Sequence, residues 1–315
     1  MPICISKELP AYQALLNENI FVMGSDRAAH QDIRPLRLLI LNIMPKKIET
    51  EIQLMRLLSN SAIQVNVSLL RMETHVSKNT NQSHLDAFYT TFSEIRNKYY
   101  DGMIITGAPV EQLPFEEVDY WTEICEIMEW SKTHVFSTLH ICWGAQAALY
   151  FHFGVPKYPL DQKMFGIFPH QVEVPNALLV QGFDEIFDVP HSRHTEIRRE
   201  DIEKAAELEI LTSSPLSGVH IVANRNGRQF FITGHSEYDR NTLADEYFRD
   251  INRGLPIAVP YNYFPDDDPS KQPRFTWRCH ANLMFSNWLN YCVYQRTPYD
   301  LTELSLRNWN WELDA

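Results

Sequence analysis

The chain has 315 residues, 44% of them hydrophobic and 22% charged, the composition of an ordinary globular protein. Lysine and arginine total 28 against 40 aspartate and glutamate residues, so the formal net charge is -12. This acidity disfavours binding to nucleic acid or to an anionic membrane, and any anionic substrate must be held by locally placed cations.

The N-terminus and the cysteines predict a protein of the reducing cytoplasm. The first residues lack a basic stretch followed by an unbroken apolar run, so we expect no secretory signal. No stretch of the sequence has the apolar length that a transmembrane helix needs. The five cysteines are widely and irregularly spaced without a C-x-x-C pair, which favours neither a disulfide framework nor a zinc ribbon.

From Arg34 onward, strand-like apolar runs alternate with amphipathic helical stretches. Strands and helices are predicted to alternate over residues 36–43, 46–61, 63–72, 83–100, 101–109, 115–133, 134–141 and 142–154. The fourth of these segments is predicted to be one helix that begins at Ser83. This order predicts an α/β fold with a doubly wound, mostly parallel sheet and helices on both faces, whose sites lie at the carboxyl ends of the strands.

After Gly154 the predicted elements are shorter. The clearer ones are strands over 164–174 and 228–234, a helix over 241–254 and a last helix over 280–295, with a loop rich in proline and aspartate at 259–274. We expect a single domain over 1–315, made of an N-terminal extension (1–34), a catalytic core (35–254) and a C-terminal loop and helix that pack on the core (255–315). A domain boundary at the loop is the alternative.

A predicted strand ends at Ile141, Cys142 follows it directly, and a helix rich in small residues begins at Trp143. Such a strand-to-helix turn presents a nucleophile at the edge of the sheet. The helix N-terminus favours a thiolate and an oxyanion, and the amide of Trp143 is the expected oxyanion donor. The alternative is that Cys142 is one more buried core cysteine.

His235 and Glu237 follow the predicted strand at 228–234. A thiol nucleophile needs a base to take its proton, and the base needs a carboxylate that orients it. Residues two apart in an extended segment face the same way, so Glu237 is expected to reach the imidazole of His235. A solvated loop is the alternative interpretation of this short motif.

Cys142 in ICWGAQAAL, together with His235 and Glu237 in GHSEY, resembles the class I glutamine amidotransferase-like fold. Within that fold the chain resembles the homoserine O-acyltransferases of the methionine pathway, through NIMPKKIETE, TGAPVE, PHSRHTE and LMFSNWLNY. The chain departs from the amidotransferase pattern at one position. The amidotransferases have a glycine two residues before the catalytic cysteine, and this chain has His140 there. It argues against glutaminase activity and agrees with the acyltransferase branch.

The resemblance implies roles for further residues. Cys142 would carry the acyl thioester, His235 would accept the proton with Glu237 behind it, and Lys47 would lie beside the oxyanion. Lys163, Ser192 and Arg249 would bind homoserine. No bound cofactor and no metal are implied, and acetyl-CoA would be a co-substrate; His191 and His194, which flank Ser192, are expected to be structural and could share a helix face.

Glu111 follows the predicted third strand, and in the family its position separates the acyl donors. Glutamate there accompanies acetyl-CoA and glycine accompanies succinyl-CoA, because a glutamate would repel the succinyl carboxylate. The resemblance therefore implies a homoserine O-acetyltransferase. Three alternatives remain: the same chemistry with succinyl-CoA, a hydrolase or amidotransferase of this fold, and a non-catalytic binding module.

Four aromatic residues of the last predicted helix form a stripe that suggests a homodimer, and ordinary core packing is the alternative. These residues are Phe285, Trp288, Tyr291 and Tyr294.

Overall fold

The computed structural model describes residues 3–18, 20, 22–23, 34–75 and 79–306. The strands are β1 (Ile3–Cys4), β2 (Val22–Met23), β3 (Leu36–Leu41), β4 (Val65–Leu70), β5 (Tyr89–Thr90), β6 (Tyr100–Ile105), β7 (Val135–Ile141), β8 (Tyr158–Val172), β9 (Ile186–Glu196), β10 (Leu208–Ser214), β11 (Gly218–Asn224) and β12 (Gln229–Ile232). Residues 1, 2, 19, 21 and 24–33 of the predicted N-terminal extension and the last nine residues of the chain lie outside the described residues.

The α-helices are α1 (Pro10–Asn17), α2 (Lys47–Ser59), α3 (Gln82–Phe88), α4 (Phe92–Ile95), α5 (Trp121–His134), α6 (Trp143–Phe153), α7 (Arg199–Ile202), α8 (Thr242–Asn252) and α9 (Arg278–Asn287). A π-helical segment, Trp288–Tyr294, continues α9, and 3₁₀ turns cover Phe115–Glu117, Leu178–Val180, Pro265–Asp267 and Leu301–Leu306. None of the helices in the described parts of the chain is long and apolar enough to cross a membrane.

One sheet has the strand order β2-β1-β4-β3-β6-β7-β12-β11-β10-β8-β9, with β5 paired to β4. The pairings from β2 to β12 are parallel, whereas β12 to β11 and every pairing beyond it are antiparallel. The predicted α/β fold with a mostly parallel sheet is confirmed.

The central strands are apolar without interruption because both of their faces are covered. In β3, Leu38 and Ile40 point into a core that includes side chains of α1, α2 and α9. Leu39 and Leu41 point to the opposite face, into a core shared with α5 and α6. Helices therefore flank the sheet on both sides, and the carboxyl ends of β3, β6 and β7 meet at one edge.

Two predictions of local structure are wrong. The segment 83–100 is not one helix, because Tyr89–Thr90 leaves the helical path to pair with β4, and the cap of α3 is the side chain of Asn81 rather than Ser83. The region after Gly154 is not made only of shorter pieces, because β8 has 15 residues and pairs with the 11 residues of β9 on both sides of a register shift between Pro159 and Met164.

The C-terminal segment packs into the main core. Phe285 and Trp288 are completely buried, and the indole of Trp288 donates a hydrogen bond to Ser137 Oγ at 3.0 Å. Tyr294, at the end of the predicted aromatic stripe, is exposed. Most of that stripe is therefore core, and a homodimer stays a prediction.

Candidate active site

Cys142 lies between β7 and α6 with a backbone conformation that side chains other than glycine rarely adopt. Its φ is 52° and its ψ is -115°. The backbone is held there by its own amide, which donates to Ile232 O at 2.7 Å. The strained turn places the thiol at the carboxyl edge of the parallel strands, as the sequence predicts for a nucleophile.

Glycines let the cysteine turn approach its neighbours. A Cβ atom on Gly144 would lie 2.6 Å from Thr106 O, so only glycine lets α6 start this close to the end of β6. A Cβ atom on Gly107 would lie 3.2 Å from Cys142 Cβ and 3.7 Å from His235 Cε1. The cysteine and the histidine therefore converge beneath the same loop.

His235 lies within hydrogen-bonding reach of both Cys142 and Glu237. Its Nδ1 is 2.7 Å from Glu237 Oε1, which leaves Nε2 for the sulfur. The contact with Glu237 is predicted correctly, but for the wrong reason. The two residues lie in a turn, in which Tyr238 N donates to His235 O, and not in an extended segment.

The surroundings of His235 favour its protonated form. Burial alone lowers the pKa of this imidazole, but the charges of Cys142 and Glu237 and their hydrogen bonds to the ring outweigh burial and hold its pKa well above 6.5. The ring also stacks on Tyr238 with centroids 4.2 Å apart. This arrangement can hold a thiolate beside an imidazolium and can pass a proton to a leaving group.

The two predicted oxyanion groups lie on different elements. The amide of Trp143 is in the first turn of α6, where backbone N–H groups have no acceptor within the helix. Lys47 begins α2, and its ammonium donates to the carbonyl oxygens of Asn42 and Met44. Burial lowers the pKa of Lys47 to about 8, with Glu51 opposing. The role of Lys47 at the oxyanion stays a prediction.

Two of the predicted homoserine-binding residues converge on a carboxylate that the sequence reasoning missed. Lys163 Nζ lies 3.1 Å from Glu246 Oε2, and Ser192 Oγ donates to the same oxygen at 2.6 Å. Tyr238 OH donates to Glu246 Oε1 at 3.4 Å, and Tyr238 is the ring that stacks on His235. The Glu246 cluster therefore lies one aromatic ring away from the proposed base.

Arg249 lies one turn of α8 beyond Glu246. Its guanidinium grips the carboxylate of Asp250 through two bonds, at 2.7 Å from Nε and 3.0 Å from Nη2. Asp250 is also 4.0 Å from Lys163. The guanidinium of Arg249, which is expected to bind a substrate carboxylate, thus binds the carboxylate of Asp250 in this structure.

Glu111 reaches the strand that carries Ser192. Its Oε1 accepts a hydrogen bond from His194 N at 3.0 Å. Lys157 holds the turn in place, because its ammonium donates to the carbonyl oxygens of Glu111 and Leu113, both at 2.6 Å. The predicted donor-specificity residue therefore lies beside the predicted homoserine residues.

His191 and His194 do not share a helix face, because both lie on β9. Residues three apart on a strand point to opposite faces, so His191 is completely buried while His194 is half-buried. His191 lies with His170 and His220 in the one group of described residues whose ring nitrogens are close enough, within 4.8 Å, for a metal ion.

The hydrogen bonds around these three rings leave few lone pairs for a metal. Arg193 Nε donates to His191 Nδ1 and Gly234 N donates to His220 Nδ1, so each of these two rings carries its proton on Nε2. His191 Nε2 then donates to His170 Nε2 at 3.2 Å, and His170 Nδ1 donates to Phe168 O. The rings form a hydrogen-bonded chain.

The chain is similar to known proteins over nearly its whole length. Residues 2–299 match the homoserine O-succinyltransferase family. The chain is 62% identical to a homoserine O-acetyltransferase of Acetivibrio thermocellus over 304 residues, covering 96% of this chain and 100% of that one. It is 64% identical to a homoserine O-acetyltransferase of Brevibacillus brevis over 301 residues, covering 96% of this chain and 98% of that one.

A solved glutamine amidotransferase of Thermotoga maritima is similar in fold. It superposes with a TM-score of 0.55 at 12% identity and covers 83% of this chain and 100% of that one. Identity this low concerns the fold alone. The predicted amidotransferase-like architecture is confirmed.

Proposed function

The chain belongs to the homoserine O-succinyltransferase family, and from that premise we propose that it transfers an acetyl group from acetyl-CoA to the γ-hydroxyl of L-homoserine. The enzyme is an acyltransferase, and its product, O-acetyl-L-homoserine, would serve methionine biosynthesis. The observation that carries the proposal is the strained Cys142 turn with His235 and Glu237 in hydrogen-bonding reach.

The reaction proceeds by double displacement. The thiolate of Cys142 attacks the carbonyl carbon of acetyl-CoA, and the amide of Trp143 and the Lys47 region stabilise the oxyanion. Coenzyme A leaves as its thiol with the proton from His235. Homoserine then enters, His235 takes its hydroxyl proton, and the oxygen attacks the thioester to release the product and restore the thiolate.

The Glu246 cluster is suited to a zwitterionic amino acid. Lys163 and Arg249 supply positive charge for the substrate carboxylate, and Ser192 supplies a hydroxyl. Glu246 supplies the negative charge that a substrate ammonium needs. Homoserine would replace contacts that these side chains make with one another and with Asp250 in this structure.

The choice of acetyl over succinyl rests on Glu111. A succinyl group brings a carboxylate, and Glu111 on the neighbouring turn would repel it where water is partly excluded. The proposal also includes a cytoplasmic location, which rests on the cysteines and the N-terminus, and a homodimer, which would use the exposed end of the C-terminal segment at Tyr294.

The test is a comparison of donors with the purified protein. We expect homoserine-dependent release of coenzyme A from acetyl-CoA, at least about tenfold faster than from succinyl-CoA, with O-acetylhomoserine identified by mass spectrometry. The Glu111→Gly variant should gain use of succinyl-CoA, whereas the control Glu117→Gly, a solvent-exposed glutamate of the following 3₁₀ turn, should not.

Three outcomes would oppose the proposal. Release of coenzyme A at the same rate without homoserine would indicate a hydrolase. A preference for succinyl-CoA in the unmodified protein would contradict the role of Glu111. Unchanged function in a Cys142→Ala variant would indicate a binding module.

A further inference from the structure

Arg193 is a cation buried beside the active site without an ion-pair partner among the described residues. Its side chain is only 2% exposed. All three of its hydrogen bonds go to neutral acceptors: Nε donates to His191 Nδ1 at 3.3 Å, Nη1 to Thr195 O at 2.6 Å, and Nη2 to Ser217 O. An uncompensated buried charge is costly, and such charges cluster where a negative charge develops during function.

Among the negative charges that act on Arg193, that of an ionised Cys142 has the largest effect. Burial lowers the pKa of this guanidinium, and the charge of Cys142 is the largest effect that opposes burial, ahead of Glu196 and Glu111. No carboxylate of the described residues lies within 4 Å of Arg193. A buried cation with neutral hydrogen-bond acceptors is placed to favour a negative charge that develops beside it.

The acceptors of Arg193 also connect both halves of the site. Thr195 O accepts from Arg193 and from Gln146 Nε2, and Gln146 lies in the first turn after Cys142. On the other side, the ring of His191 lies against Gly234, the residue before His235, where a Cβ atom would come within 3.1 Å of the ring. Arg193 thus holds His191 and Thr195, the two β9 residues that contact the segments carrying the base and the nucleophile, and ties them to Ser217.

The histidine chain next to Arg193 stays neutral. Burial lowers the pKa of His170 to about 3 and holds the pKa values of His191 and His220 well below 6.5. The titratable groups that face Arg193 and Cys142 are His170, His191, His220, His235, Glu111, Glu196, Glu237 and Tyr238. Among them, His170, His191 and His220 add no positive charge near neutral pH, which leaves Arg193 as the permanent cation of this group.

We infer that Arg193 is a positioning residue for the nucleophile, which stabilises the thiolate of Cys142 through its buried charge and orients the cysteine turn through Thr195. The inference rests on the proposed function only in taking Cys142 as the nucleophile. It concerns the resting protein, before any acyl donor binds.

The test is the pH dependence of Cys142 alkylation by iodoacetamide, followed by peptide mass spectrometry, in the full chain without substrates. Only the thiolate reacts, so the midpoint of the rate profile reports its ionisation. In Arg193→Met we expect the midpoint to rise by about one pH unit or more, with alkylation roughly tenfold slower at pH values below both midpoints. Arg193→Lys, which keeps the charge, should stay within about half a unit of the unmodified protein.

Arg228 offers a matched control. It is also 2% exposed and donates to backbone carbonyls, those of Phe136 and Val135, at the opposite end of β7 from Cys142. Arg228→Met should leave the alkylation midpoint unchanged even if it lowers stability. A merely structural role for Arg193 would give the same result in both methionine variants.

Two results would overturn the inference. One is a folded Arg193→Met variant whose midpoint equals that of the unmodified protein. The other, which decides the matter if Arg193→Met does not fold, is an Arg193→Lys variant whose midpoint rises by about one pH unit or more. If the unmodified protein showed a normal alkylation profile but no acyl transfer, the proposed function would be contradicted instead.

Discussion

His235 and His191 are both buried, yet their surroundings shift their pKa values in opposite directions. Burial, the charge of Arg193 and the neighbouring histidines hold the pKa of His191 well below 6.5. Burial acts on His235 as well, but the charges and hydrogen bonds of Cys142 and Glu237 raise its pKa well above 6.5. Burial alone favours a neutral histidine, whereas the carboxylate and the thiol give His235 the raised pKa that the proposed proton transfer requires.

The largest expected effect comes from removing the carboxylate that distinguishes the two histidines. In Glu237→Gln the pKa of His235 should fall toward that of the His191 chain, because the ring loses its neighbouring negative charge. The tautomer that presents Nε2 to the sulfur also loses its support. We expect kcat to drop about 10³- to 10⁴-fold, measured as homoserine-dependent release of coenzyme A.

Glu123 provides the control for this variant. Glu123 and Glu237 are each 8% exposed, but Glu123 accepts from the backbone amides of Glu73 and Thr74, away from the site. Glu123→Gln should lower the free energy of unfolding and leave kcat within about threefold. A folded Glu237→Gln variant that kept kcat within about tenfold would contradict the role given to the carboxylate.

A smaller effect is expected for the buried neutral histidines His170, His191 and His220. The pKa of His220 is lower in the folded chain than its usual 6.5, so below pH 6.5 the unfolded chain binds a proton that the folded chain does not. Stability must therefore fall as the pH falls from 6.5 toward the folded pKa, by about 1.4 kcal/mol per pH unit for each such histidine.

The variant His220→Leu should remove one of these contributions. His220 Nε2 has no hydrogen-bond partner among the described residues, and its Nδ1 accepts one long bond from Gly234 N at 3.3 Å. At pH 7.5 we expect a change in the free energy of unfolding within about 1 kcal/mol. In urea unfolding, the free energy of unfolding of the variant minus that of the unmodified protein should be about 1.4 kcal/mol more positive at pH 5.5 than at pH 7.5. If the free energy of unfolding fell by the same amount in both proteins between pH 7.5 and pH 5.5, His220 would not be buried as a neutral ring.

The central parallel strands β3, β4, β6, β7 and β12 were predictable from sequence, whereas β1, β2, β5 and much of the antiparallel half were not. Strands such as β3 and β7 are continuous apolar runs because both faces are covered. In β9 the buried positions include His191, Arg193 and Thr195, so burial alternates along the strand while hydrophobicity does not. The buried polar residues that contribute to the site therefore interrupt the hydrophobic pattern from which the strand could have been predicted.

The site follows the same division. The Cys142 turn and the His235–Glu237 pair are short motifs with a local signature, and both were predicted. Glu246 accepts from Ser192, 54 residues away, and Arg193 donates to Ser217, 24 residues away, and nothing in their local sequence indicates such contacts. The break of the predicted helix at Tyr89 has a similar cause, because only pairing with β4 makes that segment extended.

The central claim is that Cys142 carries the acyl group. The most direct measurement is to incubate the protein with acetyl-CoA alone, quench it in acid and locate acetyl groups by peptide mass spectrometry. The account predicts an acetyl group on Cys142, and not on Cys4, Cys125, Cys279 or Cys292, that L-homoserine discharges to O-acetylhomoserine at least as fast as turnover. An active protein that shows no acetyl group on Cys142, or one that L-homoserine does not discharge, would contradict it.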